Sequence, residues 1–86
     1  MQLKDTIEKM IDGGYKERFI AEYEQLCIRL LKLQNLLTLV KGGEADFAPD
    51  SPIEILEAQE EVMSTYKTIL EKRAYYEKII LPEVSL

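Results

Sequence analysis

Residues 15–40, YKERFIAEYEQLCIRLLKLQNLLTLV, carry apolar side chains at Phe19, Tyr23, Leu26, Leu30, Leu33, Leu37 and Val40. The steps alternate between four and three, the spacing that keeps one stripe of a helix turned toward a partner helix. Helix pairing is therefore the first thing this chain specifies. The helix should begin near Tyr15, after the stop Asp12-Gly13-Gly14, and end near Val40. Lys41 suits its last turn, and Gly42 or Gly43 suits a left-handed end.

Working outward, Asp5 with Glu8 has the form of a capping box, which predicts a short helix over about 5–12. A loop over 41–51 follows the long helix. Ser51-Pro52-Ile53-Glu54 then reads as N-cap, first helical position and a first-turn acid, opening a helix over about 52–80 that Pro82 ends. This last helix bears two apolar stripes, Ile55-Val62-Ile69-Tyr76 and Leu56-Met63-Leu70, each with a seven-residue repeat. Tyr66 and Ala74 widen the face, and Ile20, Cys27 and Leu31 flank the first seam. A single hairpin offers too little surface to bury all of this. The expected fold is all-α: one domain over 1–86 with a short helix and a long antiparallel hairpin, assembled as a homo-oligomeric bundle. The alternative is a monomeric three-helix bundle with the short helix over the extra stripe.

Composition removes several function classes. Apolar residues at 47% and charged residues at 31% describe a folded chain, and a net charge of −5 argues against duplex nucleic acid as a partner. The N-terminus carries no signal-peptide pattern, and no apolar run approaches a membrane span, so a cytoplasmic protein is expected. Histidine is absent, which removes the usual general base and metal ligand. The glycine pairs at 13–14 and 42–43 are helix stops, with no phosphate-cradling loop around them. No enzyme, cofactor or metal site is expected. The lone Cys27 reads as a small buried apolar group.

Charge is distributed unevenly. Glu44, Asp46, Asp50, Glu54, Glu57, Glu60 and Glu61 occupy 44–61 without a base among them. An antiparallel turn centred on residues 46 and 47 puts Tyr15, Lys16 and Arg18 opposite Lys78, Tyr76, Tyr75 and Arg73. It also brings Tyr23 near Leu70, with Tyr66 about one turn away. Tyrosines and cations thus gather away from the acidic end, with Arg29 and Lys32 left near mid-helix. Cations beside aromatic rings suit a ligand with phosphates and bases. The same groups also fit solvated ion pairs, Arg73 with Glu77 among them, and an oligomer rim.

Glu17-Arg18-Phe19-Ile20-Ala21-Glu22-Tyr23, the leucine-rich 30–37 segment, and the set Leu56, Gln59, Met63, Tyr66, Leu70 and Arg73 together resemble a family of small helical phage proteins related to a crAss-like phage protein. That family is similar to the type 2 anti-CBASS proteins, phage sponges for cyclic oligonucleotide signals. The likeness spans roughly 15–80. It implies a homo-oligomer, a hexamer by analogy, that sequesters a cyclic di- or trinucleotide between protomers without cleaving it. It also implies ligand contacts from Tyr15, Lys16, Arg18, Tyr23, Tyr66 and Arg73, with Gln59 positioning. The sponges place a lysine early in the helix at the ligand, and here the aligned position is Tyr23. The rival expectation is a helical inhibitor or adaptor that binds a protein through its acidic 44–61 segment.

Overall fold

The computed structural model describes residues 14–43 and 49–85. All regular structure among them is helical: α1 spans Tyr15–Lys41 and α2 spans Ile53–Glu77, packed against each other. The short helix expected over 5–12, and the loop centre at 44–48, lie outside the described residues.

The seam forms as the periodicity requires. Phe19, Tyr23, Leu26, Leu30 and Leu37 are buried, while Leu33 and Val40 are half-buried. The α1 terminus also follows the sequence reading. Gly42 N–H donates to the Thr38 carbonyl at 3.0 Å, and Gly43 takes the left-handed backbone at φ 70°. Antiparallel register is seen in Tyr23 meeting Glu71, Gln34 meeting Glu60 and Lys41 meeting Glu57.

The ends of α2 correct the expectation. Pro52, not Ser51, occupies the cap position, with an extended backbone (φ −59°, ψ 148°) and no side-chain cap bond. Its carbonyl accepts from Ile55 N–H at 3.1 Å, so proline here leads the chain into the helix without being part of it. The far end comes at Glu77, short of Ile80. Lys78 turns left-handed (φ 59°), and Ile79 N–H reaches back to the Ala74 carbonyl at 2.9 Å. That closure is a Schellman motif, with Ile79 buried as its hydrophobic partner. A β-carbon in this conformation costs about 1 kcal/mol. Lys78→Gly should therefore stabilise the protein by about 0.5–1 kcal/mol, seen as a raised urea midpoint.

Once reversed, the chain lies back over the hairpin. Ile79 joins one core cluster with Phe19, Tyr23, Leu26, Cys27, Leu70 and Ala74, and Leu81 and Val84 pack against it. Residues 79–84 thus cover the Cys27 side of the hairpin from within the chain. Of the two α2 stripes, Leu56-Met63-Leu70 turns toward α1, with Leu70 at 0% exposure. The other stays bare: Ile55 is 60% exposed, Val62 68%, Ile69 48% and Tyr76 80%.

Candidate functional site: an arginine-lined groove

Two helices in contact leave two grooves, one on each side of the seam. Residues 79–85 lie in one, alongside Tyr23, Cys27, Lys67 and Glu71. The other is open, with a volume of about 460 Å³, within the range of small-molecule clefts. Leu26 and Met63 form its floor; Glu22, Gln25 and Arg29 line one side, and Gln59 and Tyr66 the other.

Helical spacing explains the lining. Arg18, Glu22, Gln25 and Arg29 recur at steps of three or four along one flank of α1, and Gln59, Tyr66 and Arg73 recur every seven residues on α2. Within the groove the Tyr66 hydroxyl donates to the Glu22 carboxylate, which raises the phenol above its ordinary pKa. Gln59 Nε2 lies 3.7 Å from the Met63 sulfur, a weak acceptor that leaves the amide available to a better partner.

At the open end of the hairpin Arg73 organises a second set of contacts. Its Nη2 donates to the Tyr15 hydroxyl at 2.8 Å, and its Nε to Glu77 at 3.2 Å. Its guanidinium carbon lies 5.1 Å from the Phe19 ring centroid, within cation–π range. The Tyr15 hydroxyl donates to Glu77 as well, closing a three-membered network. That hydrogen bond holds the Glu77 carboxyl below its usual range and raises Tyr15. Burial works against the charge on Arg73, but Glu77 and Tyr15 outweigh it and its pKa rises. The network presents a fixed planar cation with an aromatic backing. Next to it, Tyr75 and Tyr76 stack edge to face at 5.4 Å, both largely exposed.

The residues expected at a ligand separate into two flanks. Gln59 and Tyr66 line the open groove; Arg18 shares the α1 flank of Glu22 by helical spacing but is not part of the lining, and Tyr15 bonds to Arg73. Lys16 and Tyr23 belong to the other flank of α1. Tyr23 is a core residue whose hydroxyl donates to Glu71 at 2.7 Å; burial, then that carboxylate, push its pKa well up. Arg29 was set aside in the sequence as a mid-helix exception, yet it lines the groove. Its spacing after Arg18, Glu22 and Gln25 was the signal available.

A pair of helices with an open polar groove, backed by a fixed arginine and aromatic rings, defines a small helical binding protein. The family model described as Sequestin matches residues 13–76, and the chain belongs to the Sequestin family. That name fits a sequestering, non-catalytic role. Neither the curated proteins nor the solved structures searched give a match. Among the described residues no helix is long and apolar enough to cross a membrane.

Proposed function

We propose that this protein sequesters a cyclic di- or trinucleotide immune signal in the open groove. It would act as a phage anti-defence sponge inside an infected bacterium. The observation that carries this reading is the groove itself: Arg29, Tyr66, Glu22 and two glutamines line it over an apolar floor of Leu26 and Met63, and Arg73 lies near enough to Tyr66 for its charge to act on the phenol. Arginine forks match phosphate oxygens, an aromatic ring accepts a base face, and glutamine and glutamate address base edges. A general base or nucleophile is not needed, since sequestration requires only that the ligand stay bound. The crAss-like-phage and anti-CBASS resemblance supplies the signal class and the phage setting. It also supplies assembly from several copies, six by analogy, with the ligand shared between them.

The test is native mass spectrometry of the purified protein with a panel of cyclic di- and trinucleotides. The expected result is intact nucleotide retained at a fixed ratio per protomer. Arg29→Gln should weaken retention about tenfold or more, because a charge-assisted hydrogen bond contributes about 1.5–3 kcal/mol. Its helical circular dichroism should be unchanged. Retention of no panel member would overturn the reading.

A second reading rests on the cleft at the opposite end, of about 470 Å³, lined by Glu57, Glu60 and Glu61 with Gln34, Leu37, Thr38 and Lys41. It suits a basic segment of a protein partner. Binding lost on Glu57→Gln/Glu61→Gln but kept on Arg29→Gln would favour it.

A further inference from the structure

We propose that Glu22 reads the base of the ligand in the open groove and selects guanine. The inference rests on the nucleotide reading above and narrows it to one base. Three observations carry it.

The first is what Glu22 does in the absence of a ligand. It is exposed on α1, with Arg18 one turn before it and Arg29 two turns after. A surface ion pair with Arg18 is the ordinary outcome of that spacing, yet among the described residues Glu22 forms none. It lines the groove, where its Oε1 accepts from the Tyr66 hydroxyl of α2. One bond across the groove thus fixes the carboxylate. Among the described residues its Oε2 accepts from no side chain.

The second is the match of these groups to a base edge. Guanine presents two adjacent donors, N1–H and N2–H, beside the acceptor O6. A carboxylate has lone pairs for both donors even while one oxygen serves Tyr66. The amide of Gln25, one turn along the same wall, can donate to O6. No other RNA base sets two donors side by side. Adenine and cytosine place a ring-nitrogen acceptor beside one amino group, and uracil has one N–H between two carbonyls. Adenine at Glu22 would therefore set acceptor against acceptor, a mismatch that discriminates more sharply than a missing contact.

The third is the distance to the nearest cation in the lining. Glu22 and Arg29 both line the groove from α1, seven residues apart, which is about 10 Å along the helix. That is comparable with the reach of one nucleotide from its base edge to its phosphate. A single nucleotide can thus meet Glu22 with its base and Arg29 with its phosphate. The Tyr66 ring, anchored by the same carboxylate, offers a face on which the base can stack.

Isothermal titration calorimetry of the whole chain tests this with matched ligands: cyclic di-GMP against cyclic di-AMP, and the cyclic trinucleotide with one guanine against cyclic tri-AMP. In whichever pair binds, the guanine member should bind tighter by about tenfold or more, the ratio expected for charge-assisted hydrogen bonds that adenine cannot make. Glu22→Gln should reverse the order, because a carboxamide accepts from adenine N6–H and donates to its N1. The side chain is exposed and the new carbonyl still accepts from Tyr66, so helicity should be retained. Tyr66→Phe releases the carboxylate and should bring the guanine-to-adenine ratio closer to one. Equal affinities in the wild type, or a ratio that Glu22→Gln leaves unmoved, overturn the proposal while the sponge reading stands. Binding of no cyclic nucleotide overturns both.

Discussion

Leu70→Ala should lower the thermal midpoint by about 12 °C or more. Leu70 is the most deeply buried large side chain of the hairpin, enclosed by Phe19, Tyr23, Leu26 and Cys27 from α1 and by Ala74 and Ile79 from its own segment. Removing a buried leucine forfeits its transfer free energy and leaves a cavity, together about 3 kcal/mol. A chain this small holds about 5 kcal/mol of stability in all. Each kcal/mol moves the midpoint by about 4–8 °C in a domain of this size. Leu39→Ala, at an exposed position on the same helix pair, should change stability by no more than about 0.5 kcal/mol. Thermal melts followed by circular dichroism compare the two. A Leu70→Ala midpoint within about 4 °C of wild type would contradict the packing of α2 onto α1.

The second large effect concerns the reversed segment 79–84. Ile79 is buried, Leu81 and Val84 are half-buried, and all three lie over the side of the hairpin that holds Cys27. Docking the segment buries apolar surface equivalent to a leucine or isoleucine side chain, about 2 kcal/mol. Ile79→Ala/Val84→Ala should release most of it, so that the segment opens while the hairpin remains. Cys27 is almost inaccessible beneath the segment. Its reaction with a thiol reagent should become about 30-fold faster, the ratio that about 2 kcal/mol of local opening energy represents. Unchanged labelling, with the substitutions in place, would show that other groups protect the thiol. This readout is independent of a ligand in the open groove, because the segment lies on the other side of the hairpin.

Much of the fold was legible because it is written in local periodicity. The α1 seam, the glycine end at Gly43 and the register that meets Tyr15 with Arg73 all follow from spacing and turn position. The helix ends were harder. Ser51-Pro52 has the letters of a cap, but Pro52 adopts an extended backbone and becomes the cap itself. Lys78 enters a left-handed conformation that no lysine signals, held by the Ile79-to-Ala74 bond and by burial of Ile79. The site was legible in type and scattered in place. Gln59, Tyr66 and Arg73 share a flank as their heptad spacing requires, whereas Tyr23 is committed to the core and to Glu71. Arg29 stands near mid-helix, away from the cation–aromatic end, and only the approach of Gln59, Met63 and Tyr66 from α2 makes it part of a groove.

The sequence by itself determined that the chain is helical, where α1 begins and ends, and that α2 carries two heptad stripes with a cation–aromatic end. These are short-range matters, decided by residues within a turn or two of one another. Only the tertiary structure decided which α2 stripe is packed and which is bare, because both repeat every seven residues and differ only in rotation about the helix axis. It also decided that residues 79–84 fold back and cover the Cys27 side. That choice depends on long-range apolar contacts with Tyr23 and Cys27, which no local pattern encodes.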